Sequence, residues 1–312
     1  MVSNRSKKIN RFASIDIGTN TVLMVVADIT EEGTIIPVYD GQQLPRLGKG
    51  VDNSRTIPHE SVERVVRALH TFKDTAESLH AAAIFACGTS ALRDADNRDE
   101  VLRRIMRETK MEIDILSGET EAEYTYLGAL SGLPPFPGTT GVLDIGGGST
   151  ELVTGTGTTV ESRSSIDIGC VRLTERYLTS LPPSRTARLA AHNSIQNELQ
   201  KISNTAIIDR LIGVAGTVTT LAAIMANLQE FNPEIIDGYV LSKETIESMQ
   251  HKYSQFTLDE MRNITQIPRG REDILLAGIY ILTAYMNRFE MNSITVSTRG
   301  LRYGQLLAKT ST

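Results

Sequence analysis

Short apolar runs bounded by turn residues alternate along this chain with stretches whose apolar positions recur at helical spacing, and the two patterns predict strands and helices in turn. Residues 12–15 and 22–29 predict two strands around a first polar turn, and 34–47 a third, extended segment. A loop over 48–54 leads to a helix beginning near Pro58, a favoured first-turn proline. Val62, Val65, Val66, Leu69, Phe72, Ala76 and Leu79 then mark one apolar face. A buried strand over 82–86 is followed by a helix for which Thr89 or Ser90 is the expected cap. A helix over 100–110, a strand over 112–116 and a helix capped by Ser117 complete this half.

The proline-rich joint Leu133-Pro-Pro-Phe-Pro-Gly-Thr-Thr140 places the boundary, giving domains 1–130 and 131–312. Beyond it, strands are predicted at 142–145, 151–154 and 160–166, then helices at 171–177 and 186–202. A strand at 211–214, helices at 218–228, 244–253 and 272–289, a strand at 293–296 and a helix at 301–308 close the chain. Each half reads βββαβαβα. The fold class is therefore α/β, two duplicated domains with a cleft between them, and such clefts commonly hold ligands.

The duplication is sharpest at two turns. Gly141-Val-Leu-Asp-Ile-Gly-Gly-Gly-Ser-Thr-Glu-Leu-Val153 reads as strand, three glycines, strand. Ala13-Ser-Ile-Asp-Ile-Gly-Thr-Asn-Thr-Val22 repeats strand, Asp-Ile-Gly and polar turn, with Asp16 lying 128 residues before Asp144. Glycines let backbone N–H groups approach an anion directly. Asp144 and Glu151 bracket the triple-glycine turn, and two bare carboxylates would repel phosphate. An anion loop framed by acids therefore suggests phosphate together with a divalent cation. Elsewhere the bland reading is stronger: Glu119, Glu121 and Glu123 crowd a helix N-terminus, where acids favour the macrodipole. Arg93, near a strand's C-terminal end, is by position either a solvated helix residue or a phosphate contact.

Composition narrows the class. Lys and Arg total 32 against 37 Asp and Glu, a formal charge of −5 that argues against a broad nucleic-acid surface. Cys87 and Cys170 stand in no metal or redox spacing and read as reduced, buried thiols of a cytoplasmic protein. The basic start from Arg5 to Arg11 precedes too short an apolar run for a signal peptide. The longest apolar run, 274–286, is too short to span a bilayer, so no membrane partner is expected. His59, His70 and His80 lack companion ligands and read as surface residues. Asp167-Ile-Gly169, a third Asp-Ile-Gly, leads straight into a helix, so Asp167 reads as peripheral. No P-loop, Gly-x-Ser-x-Gly, His-Glu-x-x-His or EF-hand pattern occurs.

Taken in order, the motifs resemble the exopolyphosphatase/guanosine pentaphosphatase family, within the superfamily of actin, sugar kinases and heat-shock cognate ATPases. The resemblance runs through Ser14-Ile-Asp-Ile-Gly-Thr-Asn20, Arg46-Leu-Gly-Lys-Gly-Val51, Thr89-Ser-Ala-Leu-Arg93, Ser117-Gly-Glu-Thr-Glu-Ala122, Asp144-Ile-Gly-Gly-Gly-Ser-Thr-Glu151, Gly169-Cys-Val-Arg-Leu-Thr174, Gly213-Val-Ala-Gly-Thr217 and Gly300-Leu-Arg302. It implies actin-like, ribonuclease H-like domains and hydrolysis of a terminal phosphate from inorganic polyphosphate with Mg²⁺ or another divalent cation. It further implies Glu121 as catalytic base, replacing the dipole reading, and Asp144 and Glu151 as holders of the metal. Asp16, Gly18, Thr19, Asn20, Arg93, Gly146, Gly147, Gly148, Ser149, Gly216 and Thr217 are implied to bind phosphate.

Guanosine pentaphosphate is the alternative substrate, with a superfamily kinase or a non-catalytic phosphate sensor behind it. A homodimer is compatible with the chain. Two departures stand out: Thr120 replaces a glutamate common before the base, and Tyr303 stands where an acid is usual. Longer relatives add a helical domain after this two-domain core, which bears on grip of long polymers.

Overall fold

The first three predicted strands form an antiparallel meander, β1 (Asn10–Ile17), β2 (Val22–Ile29) and β3 (Ile35–Gln43), in a computed structural model that describes residues 10–203 and 206–310. The basic start before Asn10 lies outside the described residues. β4 (Ala83–Gly88) runs parallel to β1, and β5 (Asp114–Ile115) parallel to β4, giving the order β3-β2-β1-β4-β5. Central β1 is covered on both faces: Ala13, Ser14 and Ile15 are all buried. On one side lies α2 (His59–Ser78), burying Val62, Val65, Val66, Leu69 and Phe72 as its periodicity predicts. α1 (Val51–Ser54), α3 (Ser90–Asp94), α4 (Arg98–Thr109) and α5 (Gly118–Leu130) complete the first half.

The second half repeats the plan. β6 (Thr139–Ile145), β7 (Thr150–Thr156) and β8 (Thr159–Ile166) form a meander, β9 (Arg210–Val214) runs parallel to β6, and β11 (Ser293–Val296) parallel to β9. Its helices are α6 (Cys170–Tyr177), α7 (Arg185–Leu199), α8 (Ala215–Met225), α9 (Pro233–Ile236), α10 (Lys243–Tyr253), α11 (Leu258–Arg262), α12 (Leu275–Arg288) and α13 (Leu301–Thr310). The strand order β8-β7-β6-β9-β11 matches the first sheet, with β10 (Val240–Ser242) added antiparallel at the edge. At three residues, β10 is too short for period-two alternation to announce it.

Several local expectations are revised. α1 occupies part of the stretch read as a loop. α8 starts at Ala215 rather than at 218, because Ala215 adopts a left-handed φ of 65° that turns the chain straight out of β9. α12 starts at Leu275, since hydrogen-bonded turns from Pro268 to Ile274 precede it. Ser117 caps α5, accepting from the Thr120 N–H, whereas neither Thr89 nor Ser90 caps α3. The Ser90 hydroxyl instead meets Thr19 Oγ1 at 3.0 Å.

The two halves exchange a helix each. α5 packs Ala122, Tyr126 and Ala129 onto Val142, Val153, Ile212 and Val214 of the second sheet. α13 packs Tyr303 and Leu306 onto Val25, Ala27, Ile29 and Ile35 of the first, and Ser14 Oγ donates to Gln305 Oε1 at 2.6 Å. The helices cross at glycines. A methyl group on Gly128 would stand 2.0 Å from Gly300 O, and one on Gly304 1.8 Å from Tyr124 O. This fastening holds the first turn of α5 between the two sheets.

Candidate active site

The duplicated turns face each other across the cleft. Gly18 N–H donates to Thr21 O at 3.0 Å, and Gly146 N–H donates to Ser149 O at 3.0 Å, so the repeat holds down to the hydrogen bond that closes each turn. None of Gly146, Gly147 and Gly148 is among the residues with positive φ. The demand for glycine at 147 is one of approach: a methyl there would lie 2.8 Å from Thr19 Cβ of the opposite turn.

A cavity of about 270 Å³ opens between these turns. Asp16, Gly18, Thr19, Asn20, Glu121, Asp144, Gly146, Gly147, Ser149, Glu151, Gly216 and Thr217 line it, so twelve of the fourteen residues singled out above come together. Gly148 faces a separate, smaller cavity. Arg93 is not part of the lining; its Nη1 donates to Glu121 Oε2 at 2.7 Å and to Leu116 O at 3.1 Å. The Asn20 side chain is buried with neither amide atom partnered, an arrangement that calls for a ligand.

Five carboxylates line this space: Asp40, which is paired with Arg302, and the group Asp16, Glu121, Asp144 and Glu151. Asp144 and Glu151 are direct cross-strand partners, and Asp16 pairs with Leu23 at the matching position of the first lobe. The repeat is therefore broken where an acid in one lobe answers a leucine in the other. Burial, then the nearby charge of Glu121, pushes Asp16 and Asp144 each up to about 7. The same causes push Glu151 up to about 8, against hydrogen bonds from Ser149 and Ser165. Burial also raises Glu121, opposed by Arg93.

Clustered, buried acids with Asp16 Oδ1 unpartnered suit a cation. Among the described residues no three Asp, Glu, His or Cys side chains form a ready-made metal cage. Of the divalent cations, Mg²⁺ is one that can be held by one or two carboxylates, completing its shell with waters and substrate phosphate oxygens.

Arg271 is a cavity residue that motif reading did not find. Its guanidinium lies over Gly216, where a methyl would come within 0.9 Å of Nη1, and Nη2 donates to Thr21 Oγ1 at 2.9 Å. The acids beside it in sequence are engaged elsewhere: Asp273 with Arg46 at 2.5 Å, and Glu272 with Arg262 at 3.7 Å. Nε is buried without a partner, and burial lowers the pKa of this group. A cation so placed favours an anion in the cavity. No spacing signal announces it, because Arg271 arrives from a turn remote in sequence. Arg302, buried against Asp40 at 2.8 Å, is a second cation at the wall.

The profile of the Ppx/GppA phosphatase family matches residues 25–312. The chain belongs to the Ppx/GppA phosphatase family. Exopolyphosphatase 2 of Mycobacterium tuberculosis is 30% identical, over 96% of this chain and 98% of that protein. A bifunctional 3-dehydroquinate synthase/phosphatase of Fusobacterium nucleatum is 29% identical over 95% of this chain, which spans 46% of that protein's length. The crystal structure of an exopolyphosphatase-like protein superposes with a TM-score of 0.91 at 30% identity, covering 97% of this chain and 98% of the other. The α/β, two-lobed Ppx/GppA architecture is thus the fold of this chain. Among the described residues no helix is long and apolar enough to cross a membrane.

Proposed function

We propose that this chain is an exopolyphosphatase that releases terminal orthophosphate from inorganic polyphosphate by Mg²⁺-dependent hydrolysis. The observation that carries the reading is the convergence of both glycine-bearing turns, the unpartnered Asn20 amide and Arg271 on one cavity that also holds Glu121. Terminal phosphate oxygens repel an attacking water, and backbone N–H groups of the two turns offset that charge as the transition state forms. Mg²⁺ held by Asp144 and Glu151 would neutralise phosphate oxygens in the same space. Glu121 orients the water and accepts its proton at Oε1 or Oε2, with Arg93 fixing the carboxylate's direction. The resemblance to exopolyphosphatase 2 supports the choice of substrate.

Guanosine pentaphosphate is the second reading, favoured by an apolar stretch of wall. Leu23, Ala223, Phe231, Pro233 and Pro268 line the cavity that Gly216 and Thr217 also line, and such a surface suits a purine base. Phosphate release from tripolyphosphate, long-chain polyphosphate and guanosine pentaphosphate, each with and without Mg²⁺, tests both. Release from the inorganic polymers with Mg²⁺ alone present is the expected result. Release confined to the guanosine substrate would replace the first reading by the second.

A further inference from the structure

On the side of the turns that carries the smaller cavity, the lobes are joined by ion pairs. Arg176 donates to Asp52 through Nε at 2.6 Å and Nη2 at 2.7 Å, and Arg172 Nε contacts the same carboxylate at 2.9 Å. Glu175 accepts from the Gly50 N–H at 3.0 Å, and Arg172 Nη2 lies 3.7 Å from Asp94. Asp52 and Gly50 belong to the first lobe. Arg172, Glu175 and Arg176 all lie on α6 of the second. The Asp52 side chain is only 12% exposed and Arg172 15%, so the shared carboxylate is withdrawn from solvent although Arg176 reaches it from an exposed position.

α6 is in turn tied to the phosphate turn. The N–H of Cys170 donates to Gly146 O at 2.9 Å, that of Val171 to Gly147 O at 2.9 Å, and that of Arg172 to Gly147 O at 3.1 Å. Gly169 presses on the same peptide, where a methyl would meet Gly147 C at 2.4 Å. A peptide plane fixed at its carbonyl is fixed at the following N–H as well. The direction of the N–H groups of Gly147 and Gly148 therefore depends on where α6 sits, and α6 is held from the first lobe by Asp52.

We propose that Asp52 is a positioning residue: through Arg172 and Arg176 it sets α6, and with it the triple-glycine turn, in the place that receives a phosphate group when the lobes are closed. Phosphate binding and lobe closure are then linked equilibria. A chain lacking the Asp52 charge spends less time in the binding-competent arrangement, and its apparent affinity falls by that fraction. This rests on the phosphate-cavity reading above, and the test separates the two.

The measurement is binding of tripolyphosphate in Mg²⁺ to the full chain by calorimetry, together with the distance between spin labels on α4 and α10. Asp52→Asn is expected to weaken binding about tenfold and to widen the ligand-free interlobe distances. Saturating tripolyphosphate restores the short distance, and Asp52→Glu restores most of the affinity. In turnover, KM rises more than kcat falls. Should Asp52→Asn not fold, Arg176→Gln, at an exposed side chain, reads the same coupling. Unchanged affinity and distances in either folded variant overturn the role of Asp52. Absence of tripolyphosphate binding to the parent chain overturns the phosphate-cavity reading instead.

Discussion

Arg93 holds Glu121 from the far side of the carboxylate, with one nitrogen, Nη1, serving both Glu121 Oε2 at 2.7 Å and the Leu116 carbonyl at 3.1 Å. Because Leu116 follows β5 directly, the guanidinium is pinned to the end of the first sheet, and the acid on α5 is aimed from there into the cavity. Position alone makes Glu121 one of three helix-start acids. Burial in the cavity and the pair with Arg93 distinguish it from Glu119 and from Glu123, whose partner is the exposed Arg163 at 3.5 Å.

Glu121→Gln keeps the shape and removes the proton acceptor. Turnover is expected to fall by roughly 10²–10⁴-fold while tripolyphosphate still binds within a few-fold of the parent. Single-turnover phosphate release and calorimetry on the same preparation check this. Near-parental release would remove Glu121 from the reaction.

Arg93→Ala acts through the base. Burial raises the Glu121 pKa and Arg93 opposes that rise, so without Arg93 the carboxyl holds its proton to higher pH. The acidic limb of the pH–kcat profile should move to more alkaline pH, with kcat lower at neutrality. A limb that stays in place while kcat falls would mean that Arg93 acts on substrate rather than on Glu121.

The acid cluster predicts a metal-linked stability. Asp16 and Asp144 stand near 7 and Glu151 near 8 in the folded chain, against reference values of 3.8 and 4.5. The folded state therefore binds more protons than the unfolded state in this window. Its advantage is full below about pH 4 and is lost as pH rises through about 7 to 8. A divalent cation replaces those protons, so added Mg²⁺ should raise Tm more at about pH 8.5 than at about pH 6. Equal increments at both pH values would count against a cation at these carboxylates.

Gly304→Ala places a methyl 1.8 Å from the Tyr124 carbonyl at the crossing of α5 and α13. Overpacking of this kind costs about 1–3 kcal/mol or more, which for a chain of 312 residues lowers Tm by roughly 1–2 °C per kcal/mol. Since α5 carries Glu121, kcat should fall as well, although position 304 is not among the cavity residues. Thermal melts and turnover read the two effects separately. A variant with parental Tm would show that the crossing can spread without cost.

Much of the architecture is written in the sequence itself. The strand–turn–strand echo around Asp16 and Asp144, the apolar face of α2 and the Ser117 cap are local patterns, each written within about twenty residues. The candidate site was legible in the same way, because both glycine-bearing turns and Glu151 lie inside contiguous motifs. Elements such as β10 and α9 were not, for they are one turn or three residues long and are held by neighbours rather than by periodicity.

Contiguous patterns thus specified the two repeats, their sheets and the residue types at the turns, since backbone geometry and strand periodicity are short-range properties. Contacts between residues far apart in the chain were a matter of packing. The exchange of α5 and α13 between lobes, Arg271 laid over Gly216, and the grip of Asp52 on α6 each join separate elements, the last across 124 residues. No spacing rule spans such distances. They follow from which apolar faces bury together, and that is decided when the whole chain has folded.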